Sequence, residues 1–179
     1  MTATKVIGLD LSIRSTGVAW HDGTYSAVCT TFEADRRLVE IVAKLAPWDK
    51  QAWAVDLVVI EDLPTNARSA GTLGMVHGAV RTALLVEDIP YIAVPPATLK
   101  KYATGRGNAP KPDMRMSLYQ RTGLDIDNDD ICDAAWLRAL GHDLLGDPIV
   151  TLPQVNRAAL TKLQLPHMPP HSTALNKES

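Results

Sequence analysis

The spacing of apolar residues changes its period several times in the first sixty positions, and each change marks an element. Residues 5–11, KVIGLDL, alternate Val, Ile and Leu with turn-compatible residues and lead to Gly17-Val18-Ala19-Trp20. This predicts a hairpin, with a third strand near Ser26–Thr31, so that three antiparallel strands open the fold. Between Ala34 and Leu45 the apolar positions Leu38, Ile41, Val42 and Leu45 fall at helical spacing, and Pro47 stops the helix. DLVVIE, residues 56–61, then runs four apolar residues together, mostly β-branched. A strand covered on both faces is expected there, with Glu61 at its end.

From Arg68 to Val86 the pattern is helical again, interrupted by Gly71, Gly74, Gly78 and Ala79. Glycines weaken a helix, so close packing against another helix or a second subunit is the expected reason for them. IPYIAVP returns to a short strand, and helices are predicted at 97–102 and 112–121, separated by the loop TGRGNAPKP. A last core helix is predicted over 130–145. After Gly146 come five prolines, a short helix near 154–163 and the stretch LPHMPPHSTALNKES, for which poor order is expected. The order of elements describes an α/β domain with a mixed sheet over residues 1–146 and a Pro-rich tail over 147–179, ordered in part at most.

Composition changes this picture little. At 179 residues and 46% hydrophobic the chain can bury a core of its own without staples. Cys29 and Cys132 match no metal-ligand spacing and read as small core residues in a reducing compartment. The five histidines show no ligand spacing either, and Trp20, Trp48, Trp53 and Trp136 have mostly apolar neighbours that suggest core positions. The start of the chain enters a strand pattern directly, and no apolar run reaches the roughly 18 residues that span a bilayer, so a soluble intracellular protein is expected.

Charge matters through its distribution. The net charge is −2, with 18 basic and 20 acidic residues, which by itself does not suggest a polyanionic partner. Between Thr98 and Arg121, however, Lys100, Lys101, Arg106, Lys111, Arg115 and Arg121 face one acid, Asp113; between Gly123 and Asp133 stand Asp125, Asp127, Asp129, Asp130 and Asp133 with no base. Such a pairing suits a surface that grips phosphates beside one that holds divalent cations. Two solvated runs would look the same by charge alone.

Four carboxylates stand out by position. Asp10 interrupts the first strand, Glu61 closes the buried one, and Asp130 and Asp133 share a face of the last core helix. An isolated charge inside a protein costs several kcal/mol, roughly, unless it is paired or bound to metal. If the first strand is central, these acids can meet as a set of hard oxygen ligands suited to Mg²⁺ or Mn²⁺, and two ions about 3.5–4 Å apart serve phosphodiester cleavage. Plainer roles stay open for three of them: helix capping for Asp130 along with Asp127, Asn128 and Asp129, a strand-end carboxylate for Glu61, and a salt bridge to Arg14 for Asp10; Asp133, followed by Ala-Ala-Trp-Leu, is harder to dismiss. GRGNAP fails the GxGxxG nucleotide fingerprint, and its glycines suit backbone approach to DNA phosphates instead.

IGLDLSIRSTGVAW, VVIEDL, LGMVHG, LKKYATGRGNAPK and DICDAAWLRA occur in this order over about residues 4–145, and together they resemble the RuvC family of Holliday-junction resolvases, within the RNase H-like superfamily. The resemblance implies an RNase H-like fold with a mixed five-stranded sheet flanked by helices. It implies a homodimeric, divalent-metal-dependent endonuclease that nicks two strands across a four-way junction. Asp10, Glu61, Asp130 and Asp133 would be catalytic metal ligands, for Mg²⁺ or Mn²⁺ and two ions per site. Lys100 and Lys111 would neutralise phosphates, with Lys101, Arg106, Arg115 and Arg68 also binding DNA, and the helix around Leu73–Gly78 would build the dimer interface. A bacterial or phage-infected cytoplasm is the implied location.

Two departures from the family pattern bear on substrate and site. Pro64 stands where family members carry an aromatic, which extends the expected substrates to forks and flaps, and Asp129 beside Asp130 offers a second register with Asp133, although the family's DxxD spacing favours Asp130. Two other functions compete: a branched-DNA-binding protein without chemistry, and an actin-like ATPase, for whose two lobes the chain is short.

Overall fold

In a computed structural model, which describes residues 3–45, 55–63 and 70–166, the opening strands are β1 (Val6–Asp10), β2 (Ser15–Ala19) and β3 (Tyr25–Cys29). They pair antiparallel, as their sequence predicts. The turn from β1 to β2 is closed by the fully buried Thr16, whose hydroxyl donates to Ser12 O at 3.0 Å and accepts from Ser12 N at 3.2 Å. β4 (Leu57–Glu61) and β5 (Tyr91–Val94) add parallel to the other edge of β1, giving the order β3-β2-β1-β4-β5. β1 is therefore central, which the placement of an acid at its end requires.

The helices are α1 (Arg36–Leu45), α2 (Ala70–Val86), α3 (Pro96–Thr104), α4 (Lys111–Thr122), α5 (Asp129–Leu144) and the short α6 (Gln154–Arg157), followed by a 3₁₀ turn at Leu160–Lys162. They cover both faces of the sheet, and the period-2 alternation of the strands decides which side chain meets which layer. Ile7, Leu9, Val58 and Ile60 pack on α1 and α2 through Ile41, Leu45, Val76, Val80 and Leu84. Val6, Leu57, Val59 and Val94 pack on the other layer, against Leu99 and Tyr102 of α3, Met114 and Leu118 of α4, and Trp136, Leu137 and Leu140 of α5. β4 is buried on both sides, as its unbroken apolar run demands.

Two glycines set how closely α5 lies on the sheet. Gly8 and Gly17 share the face of β1 and β2 that meets α5. A Cβ on Gly8 would lie 2.1 Å from the carbonyl oxygen of Ala134, and one on Gly17 would lie 2.0 Å from that of Asp130. No side chain fits in either gap, so helix backbone rests on strand backbone.

Residues 147–166 pack onto the α3–α5 layer, with Val150, Asn156 and Ala159 buried. Asn156 donates through Nδ2 to Tyr102 O at 2.8 Å, and Arg157 donates through Nε to Asp143 at 3.0 Å. The buried Asp143 carboxylate also accepts from the Tyr102 hydroxyl at 3.2 Å. The rest of the predicted tail lies outside the described residues.

Several expectations meet their outcome here. Cys132 is buried, but Cys29 is exposed, because it ends the edge strand on its open side. Trp136 is fully buried; Trp20 is half-buried and donates to Ser26 Oγ at 2.9 Å. Pro47, Trp48, Trp53, Pro64, Arg68, His167 and His171 lie outside the described residues. Gly71, Gly74 and Gly78 of α2 have nothing within 4 Å of a would-be Cβ, so among the described residues no helix packs closely there. Among the described residues there is one sheet and no second lobe, which removes the footing of the ATPase alternative. No described helix is long and apolar enough to cross a membrane.

Candidate active site

Leu9 pairs with Ile60 across the parallel β1–β4 ladder, so Asp10 and Glu61 come next to each other at the carboxyl ends of two central strands. Both follow residues 6, 8 and 57, 59 onto the α5 side. α5 starts at the same end, because Gly17, the register partner of Asp10, admits the carbonyl of Asp130. One turn further, Asp133 points back at the strands. Oxygens of Asp10, Glu61 and Asp133 all lie within 4.8 Å of one another. Asp130 is not part of that closest group, although its charge acts on Asp10.

Crowding and burial leave these acids reluctant to ionise. Asp10 is held well above the ordinary carboxylate range, first by burial and then by the charges of Glu61, Asp133 and Asp130. Burial and Asp133 push Glu61 to about 7, against the pull of Lys100 and a hydrogen bond with Asp10. Asp133 is pushed to about 6 by burial, with Lys111 opposing. Asp130 is raised too, by burial, again opposed by Lys111. Three carboxylates that repel one another in a partly desolvated corner fit a hard divalent cation, whose charge would relieve both penalties.

Cations surround the group without neutralising it. Lys100 of α3 and Lys111 of α4 are the two whose charge reaches Glu61 and Asp133. Lys111 Nζ is bound at 3.0 Å to Asp129, which also holds Arg115 Nε at 3.3 Å. Arg106 pairs with Asp113 across the loop between α3 and α4. On the other side Asp62, one residue past Glu61, pairs with Arg81 of α2 at 2.9 Å. The basic strip and the acidic run are therefore stitched together rather than separately solvated.

The comparisons agree with this geometry. No family model matches the chain. A crossover junction endodeoxyribonuclease RuvC of Carboxydothermus hydrogenoformans is 30% identical over 95 residues, 51% of this chain and 60% of that protein. Its counterpart from Rhodopirellula baltica is 30% identical over 101 residues, 54% and 57% of the two chains. The matches thus span less than two thirds of these relatives' own length. A solved structure of T. thermophilus RuvC in complex with a Holliday junction substrate superposes with a TM-score of 0.66, at 19% identity, over 83% of this chain and 100% of that one. The chain is RuvC-like in sequence and in fold.

Within the RuvC fold the expected site residues fare differently. Asp10, Glu61 and Asp133 meet; Asp130 stands beside them; Lys100 and Lys111 border them. Lys101 lies half-buried on α3. Arg106 and Arg115 are tied to Asp113 and Asp129, and Arg68 falls outside the described residues. Asp10 makes no ion pair with Arg14. Of the four capping candidates at residues 127–130, Asn128 is the one that caps α5, accepting from Ile131 N at 3.0 Å. Sequence reasoning missed Gly8 and Gly17 as the seats of α5, the Thr16 clasp under Asp10, and Asp129 as a cation holder. A glycine directly opposite a strand acid was the available signal.

A stability prediction follows from the raised carboxyls. Each binds its proton more tightly folded than unfolded, so its contribution is fully present below about pH 4 and is lost as pH climbs through 6 and 7. In chelator the melting temperature should fall between pH 5 and pH 8. Asp133→Asn should flatten that slope, and Mn²⁺ added at pH 7.5 should raise the melting temperature by binding the folded state alone. Differential scanning fluorimetry across pH reads all three; a metal-free melting temperature that rises over this range contradicts the account.

Proposed function

We propose that the protein is a divalent-metal-dependent endonuclease of RuvC type that nicks branched DNA, four-way junctions above all. The observation that carries this reading is the meeting of Asp10, Glu61 and Asp133 from two strands and a helix at one end of the sheet. They are drawn from distant parts of the chain, and only a requirement for concentrated negative oxygen explains holding them at such electrostatic cost. Asp10, Glu61 and Asp133 would hold the metal, with Asp130 completing the set. What Mg²⁺ or Mn²⁺ supplies at such a centre, two ions per site, is activation of water and stabilisation of the leaving oxygen in phosphodiester cleavage.

The chain's own groups do the positioning. Lys100 and Lys111 sit where a phosphate approaching the carboxylates would need its charge balanced, and Lys101, Arg106 and Arg115 extend the positive rim along the DNA. Arg68 stays part of the proposal from sequence alone. α2 offers a surface for a second copy: Gly74 and Gly78 face open space, Met75 is half-exposed, and small residues let helices approach closely. Two copies give two centres, as paired nicking requires. A bacterial or phage-infected cytoplasm supplies such junctions.

The test uses a labelled four-way junction, a fork and a duplex, each with Mg²⁺, Mn²⁺ or chelator. Paired nicks in the junction, metal-dependent and absent from the duplex, are expected. Tight junction binding without cleavage under any metal would shift the assignment to the non-catalytic binding protein. Binding should also weaken steeply between about 50 and 200 mM salt, since phosphate contacts release counterions.

A further inference from the structure

The first turns of α4 and α5 meet at Asp129, whose two carboxylate oxygens each lie at ion-pair distance from a cation of α4, Oδ1 without a hydrogen bond. Oδ2 takes Lys111 Nζ at 3.0 Å and Oδ1 takes Arg115 Nε at 3.3 Å. Arg115 is fixed a second time, donating through Nη1 to Asp127 O at 2.8 Å. Lys111 is not: its side chain is 62% exposed, and among the described residues Asp129 is its one ion-pair partner. The exposed four-carbon stem is not otherwise tied, and the carboxylates nearby attract its charge. The Lys111 charge already draws down Asp10, Glu61, Asp130 and Asp133. An ammonium that swung onto them would occupy the space and the charge meant for a divalent ion.

We propose that Asp129 is a positioning residue that holds the Lys111 ammonium at the rim and so keeps it from competing with the metal ion for Asp10, Glu61 and Asp133. The inference rests on the metal-centre reading above. It gives Asp129 a role different from its neighbours: its carboxylate pairs with Lys111 and Arg115 of α4, whereas Asp133, about 40° round the helix, meets Asp10 and Glu61. It also explains why an exposed lysine needs a carboxylate of its own beside a site already rich in them. Held there, the ammonium remains available to a phosphate oxygen arriving from solvent.

Mn²⁺ binding without DNA, by isothermal titration calorimetry, tests this on four proteins: the parent chain, Asp129→Asn, Lys111→Met and the double variant. Asp129→Asn should weaken Mn²⁺ binding on the order of tenfold, about 1.4 kcal/mol. In the Lys111→Met background the same change should cost less than about twofold, because the competitor is gone. Equal weakening in both backgrounds overturns the proposal, since Asp129 would then act as a ligand or through its field alone. No weakening in either background overturns it as well. Asp10→Asn separates the two readings: a parent that binds no Mn²⁺ sinks both, whereas binding that Asp10→Asn abolishes, with an additive cycle, sinks this one only. Melting curves in chelator confirm that all variants are folded.

Discussion

Asp10→Asn is expected to lower junction nicking by at least about a thousandfold while leaving junction affinity, measured in Ca²⁺ or chelator, within about twofold of the parent. The split has a physical basis. Asp10 is buried, and the charges of Glu61, Asp133 and Asp130 all act on it, so it stands among them. An amide of the same shape keeps the packing but removes the charge on which cation binding depends. The cations that would meet phosphate, Lys100 and Lys111, belong to other elements and are untouched. The same variant should melt higher than the parent in chelator at pH 7.5, because it removes a carboxylate held against its tendency to take a proton. Residual nicking above about a tenth of the parent's would mean that the chemistry lies elsewhere.

Gly17→Ala carries the second large effect, and here the fold should suffer first. The added Cβ would sit 2.0 Å from Asp130 O and 2.8 Å from Ile131 N, both backbone atoms that cannot rotate aside. α5 must lift, and with it go its contacts to β1, β2 and β4 and the placement of Asp133. A loss of about 3 kcal/mol is expected, or roughly 10 °C in melting temperature for a chain of this size. Gly71→Ala is the control, since nothing lies within 4 Å of its would-be side chain; it should change stability by less than about 1 kcal/mol. Should the two variants melt alike, the close seating of α5 on the sheet is wrong.

How far the sequence alone reaches depends on the kind of signal. The β1–β2–β3 meander, the doubly covered β4 and the helices α3 to α5 were readable because apolar period and turn residues state them locally. So was the meeting of Asp10, Glu61 and Asp133, since an acid inside or ending an apolar strand demands a partner. Asp129 could not be separated from Asp130 in this way. Both follow the Asn128 cap, and only the position of α4 decides that Asp129 is the one paired with Lys111. Cys29 was misplaced for a related reason: burial on β3 depends on the strand's place at the sheet edge, which local alternation does not encode. The glycines of α2 border open space, and no packing among the described residues accounts for them.

The position of Cys29 has a practical side. Of the two thiols, Cys132 is enclosed and burial pushes it up to about 12, which leaves it inert to alkylation at ordinary pH. Cys29 stands in solvent at the end of the outermost strand. A maleimide dye would therefore attach at one defined point without any engineered cysteine, providing a ready fluorescent reporter for following single molecules on a DNA arm.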